Sequence, residues 1–93
     1  MDYALINHPL ITVLMSVYNG ESFLAEAIDS ILSQTFTDLE FLIIDDGSTD
    51  SSPSILVNYA QKDCRIRIIR NLTNIGLTKS LNKGLDLAQG QYI

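Results

Sequence analysis

Short apolar runs alternate with segments of helical periodicity along this chain. Ile11–Val17 reads "ITVLMSV", a second run extends over Leu39–Ile44, a third over Ile66–Ile69, and "QYI" begins a fourth. Runs that are apolar at successive positions are typical of strands buried on both faces of a sheet. Strands separated by helices pair in parallel through right-handed crossovers. The pattern therefore predicts an α/β fold, a three-layer α/β/α domain with a parallel sheet.

The segments between these strands carry apolar residues at helical spacing. The first extends from Phe23 to about Gln34, the second starts at Pro53, and Gly90 fits the C-terminal cap of the third. One face of the third helix carries Leu77, Leu81, Leu85 and Ala88. Because the chain stops where a strand should begin, we expect residues 1–10 to be a lead-in and 11–93 to be the N-terminal part of a larger domain.

The same pattern predicts which strand lies beside the first and which residues form the core. We expect the second strand to flank the first on one side. The strand residues expected to be largely buried are Ile11, Val13, Phe41, Ile43, Ile66 and Ile68.

Length and charge exclude several classes of protein. The chain has 93 residues, which suits one small domain, and its net charge of −5 argues against nucleic acid or anionic lipid as a general partner. The single cysteine, Cys64, permits no internal disulfide and suits a reducing compartment. No apolar run approaches the ~20 residues that span a bilayer. We expect a cytoplasmic protein, with any attachment to the inner face of the membrane made through parts outside this chain.

Polar residues follow each of the first three predicted strands. "SVYNG" contains Tyr18, "DDGSTD" begins with Asp45 and Asp46, and "RNLTNIGLTKS" contains Lys79. The carboxyl ends of parallel strands meet at one edge, where open sheets bind ligands. An aromatic face, a carboxylate, a helix start and a lysine suit a nucleotide. Taken singly, each residue has an ordinary structural explanation, such as Asp45 and Asp46 accepting hydrogen bonds in their own turn.

The common nucleotide motifs are absent from the sequence. No G-x-G-x-x-G follows the first strand, and "GLTKS" lacks the glycine that precedes the lysine of a P-loop. A response-regulator receiver also gathers acidic residues at strand ends, but its acidic pair is expected after the first strand. Here the pair follows the second strand, and Arg70-Asn71 follow the third. A receiver-like domain is therefore the alternative to a nucleotide-binding domain.

Five blocks resemble the start of a family 2 inverting glycosyltransferase of the GT-A fold. In order along the chain they are "SVYNG", "SILSQTF", "IDDGSTD", "RIIRNLTNIGL" and "LNKGLDLAQGQYI". The resemblance implies transfer of a sugar from a nucleotide sugar, in particular a UDP-sugar, to a saccharide or lipid acceptor. It covers nearly the whole chain after Pro9.

The resemblance also implies roles for individual residues. Tyr18 would stack on the nucleobase, Asp46 would accept from a base N–H, and Ser16 would lie near the base or ribose. The other implied contacts to the nucleotide come from Asn19, Gly76 and Lys79. Asp45 should point the other way along the extended backbone and accept loop N–H groups.

The family places a metal-binding D-x-D motif just after the "GxYI" block. The chain ends at Ile93, before that position. The resemblance therefore implies that a divalent metal, Mg or Mn, and the catalytic residues belong to the full-length protein. The 93-residue chain would hold neither and would be inactive by itself. Two further hypotheses remain open: a non-catalytic nucleotide-binding module, and a structural piece that self-associates through its open sheet edge.

Overall fold

The computed structural model describes residues 10–34 and 37–93. The lead-in predicted for residues 1–10 lies outside this range except for its last residue, and Thr35 and Phe36 of the "SILSQTF" block also lie outside it. The described elements are β1 (Ile11–Val17), α1 (Leu24–Leu32), β2 (Leu39–Asp46), α2 (Ser52–Lys62), β3 (Ile66–Asn71) and α3 (Leu77–Leu87).

The three strands form one parallel sheet in the order β1-β2-β3. This order confirms the predicted α/β class and the position of the second strand beside the first. A receiver places its first strand between its second and third. Since β2 is the central strand here, the receiver alternative is wrong.

Helices α1 and α2 cover one face of the sheet. Their core residues Leu24, Ile28 and Leu56 pack on side chains from all three strands. Of the six strand residues expected to be largely buried, Phe41, Ile43 and Ile66 are buried. Those that are only half-buried are Ile11, Val13 and Ile68. All three lie on β1 or β3, each of which pairs with β2 on one side only among the named strands.

Helix α3 covers the opposite face, but its leucines do not form its buried side. Leu77 and Leu85 are exposed, whereas Ser80 and Gly84 are buried. A Cβ at Gly84 would overlap the side chain of Leu14, so the missing side chain lets the helix lie directly against β1. The small residues therefore set the packing distance, which the leucine pattern did not reveal.

After α3 the chain returns to the free side of β1. The N–H of Tyr92 donates to the carbonyl of Leu10 at 2.9 Å, and the N–H of Thr12 donates to the carbonyl of Tyr92 at 2.7 Å. Tyr92 thus makes a parallel bridge with Ile11, as expected for a fourth extended segment. Across the sheet, the successive strands β1, β2 and β3 follow one another in one direction, and the segment after α3 then returns to the free side of β1. Right-handed crossovers in opposite directions put their helices on opposite faces, which explains the three layers.

A buried carboxylate holds this returning segment at the amino end of the sheet. Glu40 accepts hydrogen bonds from the Thr12 hydroxyl at 2.9 Å and the Gln89 N–H at 3.0 Å, and its other oxygen lies 3.2 Å from Nη1 of Arg67. Gly90, predicted as a helix cap, instead donates its N–H to the Thr12 hydroxyl at 2.9 Å. The helix already ends at Leu87, so the glycine serves a close approach to β1.

We expect Glu40→Ala to lower the free energy of unfolding by about 3 kcal/mol, because it removes the counter-charge of Arg67 and the acceptor of the Thr12 hydroxyl and the Gln89 N–H. Replacing both Glu40 and Arg67 by Met should recover most of that loss, since no charge is then left unpaired. Urea unfolding of the two variants measures the difference. A double variant as unstable as Glu40→Ala would show that the unpaired charge of Arg67 does not account for the loss.

Candidate functional site

Three loops meet at the carboxyl edge of the sheet. They comprise residues 18–23 after β1, 47–51 after β2 and 72–76 after β3. The strand order reverses at β1, because β2 lies on one side of it and Tyr92 on the other. In open α/β sheets the crevice at such a switch point is where ligands bind. Tyr18 follows β1 directly and is 52% exposed, so its ring is available at this crevice.

The first two loops are joined by the side chain of Asn19. Its Oδ1 accepts hydrogen bonds from the N–H of Thr49 at 2.8 Å and of Asp50 at 3.3 Å. Its own N–H donates to the hydroxyl of Ser48 at 3.0 Å. The backbone of Asn19 has a φ of 50°, in the left-handed region that asparagine tolerates better than most residues. Asn19 therefore shapes the turn that presents Tyr18.

The second and third loops are joined by Asp46, which is 2% exposed. Its Oδ1 accepts from Nδ2 of Asn71 at 3.0 Å and from the N–H of Ile75 at 2.8 Å, and its Oδ2 accepts from the N–H of Gly76 at 2.9 Å. Its carbonyl accepts from Nδ2 of Asn74 at 3.3 Å. One buried aspartate thus holds residues 74–76, the part of the loop that leads into α3.

These hydrogen bonds decide the charge of Asp46. Burial alone raises the pKa of its carboxyl group, but donation by Ile75, Asn71 and Gly76 outweighs burial and holds the pKa below its ordinary value of 3.8. The carboxylate is therefore ionised at neutral pH. A lowered pKa in the folded state means that the stabilisation is complete above the unfolded pKa and is lost as the pH falls through the folded pKa.

We expect Asp46→Asn to lower the free energy of unfolding at neutral pH by about 1.5–3 kcal/mol, the range for hydrogen bonds to a charged group. The deficit should shrink as the pH falls from the ordinary pKa of 3.8 through the lower pKa of the folded state, because the wild-type carboxyl group becomes protonated over that interval. Urea unfolding at several pH values measures it. Asp86→Asn, at an exposed position on α3, is the matched control. A deficit that is the same at all pH values would contradict this role.

Gly47 permits the close approach of the second and third loops. Its φ is +75°, and a Cβ there would lie 2.6 Å from the backbone N of Asn74 and 2.6 Å from the backbone C of Thr73. Backbone atoms cannot move aside as a flexible side chain can. The glycine is therefore required both by its conformation and by the space around it.

Gly47→Ala should cost roughly 1–3 kcal/mol of stability from the backbone conformation alone. It should also speed hydrogen exchange at the amides of Ile75 and Gly76, because the added methyl group pushes their loop away from Asp46. Exchange measured by NMR tests this. Thr49→Ala, in the same loop but exposed, should leave both amides at wild-type rates; equal effects of the two substitutions would refute the steric explanation.

Asp45 points to the opposite face of the sheet, as predicted. Its Oδ1 accepts the N–H of Ser48 at 3.1 Å, so it serves the loop in the expected way. Its Oδ2 is buried without a hydrogen-bond partner and lies 3.8 Å from Nε of Arg70. Both residues line a cavity of about 490 Å³ between β3 and α2. Two neighbouring carboxylates thus avoid repulsion by lying on different faces.

The remaining predicted residues differ in how close to Asp46 they lie. Ser16 faces the α3 side of the sheet, as Asp46 does, and is half-buried. Gly76 lies at the N-terminus of α3 and donates directly to Asp46. Lys79 lies on the first turn of α3 and is exposed. The structure therefore brings Asp46 and Gly76 into contact, places Ser16 on the same face of the sheet beside Ile44, and leaves Lys79 in solvent.

Two residues that the sequence did not single out belong to this cluster. Asn71 is buried and pairs in register with Asp46, and Lys83 donates from Nζ to Oδ1 of Asn71 at 2.7 Å. Asn71 also donates to the hydroxyl of Ser80 at 3.1 Å. The parallel register of β2 and β3 would have indicated Asn71. Lys83 lies one helical turn beyond Lys79, so only the packing of α3 distinguishes the two lysines.

No group of three or more metal-ligating side chains occurs in residues 10–34 and 37–93. Asp45 and Asp46 do not fit a metal centre, since they lie on opposite faces and the oxygens of Asp46 already accept hydrogen bonds. Within the same described residues, no helix is both long and apolar enough to cross a membrane.

Residues 12–93 match the sequence profile of glycosyl transferase family 2. The chain belongs to this family. An uncharacterized glycosyltransferase of Haemophilus influenzae is 44% identical to this family 2 chain over 88 residues, which are 95% of this chain and 35% of that protein. The match therefore covers nearly all of this chain but about a third of the relative.

Two solved structures share the fold of the family 2 chain. S. aureus TarS 1-349, in complex with UDP-GlcNAc, has a TM-score of 0.81 and 28% identity, covering 90% of this chain and 26% of that one. The mannosyltransferase PcManGT from Pyrobaculum calidifontis, in complex with GDP-Man and Mn²⁺, has a TM-score of 0.79 and 26% identity, covering 89% of this chain and 25% of that one. The likeness agrees with the GT-A fold that the sequence implied.

Proposed function

We propose that the complete protein is an inverting glycosyltransferase that moves a sugar from a nucleoside-diphosphate sugar, in particular a UDP-sugar, to a saccharide or lipid acceptor. Residues 11–93 would form the N-terminal part of its GT-A domain and supply the nucleotide half-site. The observation that carries this proposal is the reversal of strand order at β1, beside the exposed Tyr18, since open α/β sheets bind ligands at such a point. Membership of family 2 and the UDP-GlcNAc complex of TarS support it.

Each proposed contact follows from the chemistry of its side chain. The exposed ring of Tyr18 offers a stacking face to the base. Ser16 lies on the same face of the sheet as Asp46 and would contact the base or ribose. Asn19 would act near the nucleotide mainly by shaping the turn that carries Tyr18. At the start of α3, Gly76 and Lys79 would border the phosphates, where helix N-termini favour negative charge.

Asp46 would accept a base N–H in exchange for one of its present donors. Its Oδ1 accepts two hydrogen bonds from Asn71 and Ile75, and its Oδ2 accepts one from Gly76. The Ser80 hydroxyl is a further donor to the carboxylate, which has about four acceptor positions. Because Asp46 is 2% exposed, residues 72–76 would have to shift to admit the base. The geometry suits an imide N–H of uracil, which is a donor that a carboxylate can accept.

The metal and the other partners remain proposals for the complete protein. The complex of PcManGT with GDP-Man and Mn²⁺ supports a divalent metal, Mg or Mn. Such a metal would neutralise charge on the departing diphosphate. Self-association through the sheet edge, the acceptor, and a cytoplasmic location at the inner face of the membrane stay predictions.

In the complete gene product, Tyr18→Ala should weaken UDP binding by a factor of ten or more, since stacking on an aromatic ring contributes about 1–3 kcal/mol per base. Isothermal titration calorimetry measures the affinity for UDP, and a titration with ADP gives the affinity for a nucleotide with a different base. Tyr92→Ala is the matched control, because Tyr92 is also an exposed tyrosine but lies beside the first residue of β1, away from the carboxyl edge.

A full-length wild-type protein that binds UDP no better than ADP would contradict the base assignment. Unchanged UDP affinity in Tyr18→Ala would remove this residue from the site. Release of UDP from UDP-sugars in the presence of Mn²⁺ and pooled acceptors tests the activity itself. The 93-residue chain by itself should show no turnover above a protein-free control.

A further inference from the structure

Lys83 and Asp46 are connected through a single amide group. Nζ of Lys83 donates to Oδ1 of Asn71 at 2.7 Å, and Nδ2 of Asn71 donates to Oδ1 of Asp46 at 3.0 Å. Asn71 is 5% exposed and Lys83 is half-buried. An ammonium group can only donate and a carboxylate can only accept, so the amide oxygen must face Lys83 and the amide nitrogen must face Asp46.

This chain of contacts strengthens donation to Asp46. A cation that withdraws electron density at the amide oxygen makes the amide N–H a better donor, and hydrogen bonds in series polarise one another. Without Lys83, Oδ1 of a buried Asn71 would lose its charged donor. The amide could then flip, so that its oxygen instead of its nitrogen faces the hydroxyl of Ser80, which can both donate and accept.

We propose that Lys83 is a positioning residue of the nucleotide half-site, acting through Asn71 to hold the Asp46 carboxylate in place for the base. This inference rests on the proposed function and deepens it, because it assigns recognition of the base to a three-residue relay. Lys83 does not contact the diphosphate in this arrangement. Its Nζ is engaged inside the cluster, whereas Lys79 on the preceding turn is exposed.

Comparison of uridine with UDP separates this role from a phosphate contact. In the complete gene product, Lys83→Met should weaken the binding of uridine and of UDP by the same factor, about fivefold or more, because both ligands present the same base. Lys83→Arg keeps a cationic donor and should recover much of the loss. Lys62→Met, an exposed lysine in the last turn of α2, should leave both affinities unchanged. A loss for UDP without a loss for uridine would overturn the proposal in favour of a phosphate contact.

A measurement without ligand tests the relay independently. The side-chain amide resonances of Asn71 should shift in Lys83→Met, and the pKa of Asp46, followed through its carboxyl carbon by NMR, should rise as donation by Asn71 weakens. Wild-type resonances and an unchanged pKa in that variant would overturn the proposal. If the wild-type protein binds neither uridine nor UDP, the proposed function fails, while these resonances still show whether Lys83 positions Asp46.

Discussion

The carboxyl edge of this domain depends on the buried carboxylate of Asp46. It is the acceptor for the side chain of Asn71 and for the backbone of Ile75 and Gly76. Loops carry few intrinsic constraints, and the segment after β3, which begins with the exposed Leu72, has little apolar burial to hold it. Its conformation therefore depends on hydrogen bonds to one ionised group. Those same hydrogen bonds keep the group ionised, so loop order and charge support each other.

The reversal of strand order is the second constraint on the site. The strand order reverses at β1 because the chain returns to the far side of that strand after α3, and open sheets bind ligands at such a point. Glu40, Thr12 and Gly90 secure the return at the amino end of the sheet. The hydrogen bonds at the amino end of β1 thus fix the strand order on which the proposed binding site at its carboxyl end depends. The geometry of the proposed nucleotide half-site therefore depends on residues that would not contact the nucleotide.

The division of labour between the two adjacent aspartates follows from the geometry of an extended strand. Successive side chains point to opposite faces, so Asp45 turns toward α2 and Asp46 toward α3. Only the second of them lies beside the loop that leads into α3. Alternation alone predicts this separation, but it does not show that the Asp46 oxygens already hold Asn71, Ile75 and Gly76. That occupancy makes movement of residues 72–76 part of any binding event at Asp46.

Local patterns in the sequence were sufficient for the elements and their order. Strand β1 was predicted with the bounds it has, since its apolar run is uninterrupted, and alternating strands and helices required a parallel sheet. The turn residues after the strands indicated the edge of the sheet at which we propose the site. These features depend on periodicity within short windows, which the sequence displays directly.

Tertiary packing decided which side chains complete the site. The leucines of α3 suggested one face, yet Ser80 and Gly84 lie against the sheet, because only small residues allow the helix to approach Leu14 so closely. That rotation of the helix directs Lys83 toward Asn71 and leaves Lys79 in solvent. The two lysines are alike in local sequence, so their roles depend on helix packing. By itself, the sequence determined the strands, the helices and the edge at which their polar loops meet, while the face of α3 was decided by steric fit between elements distant in the chain.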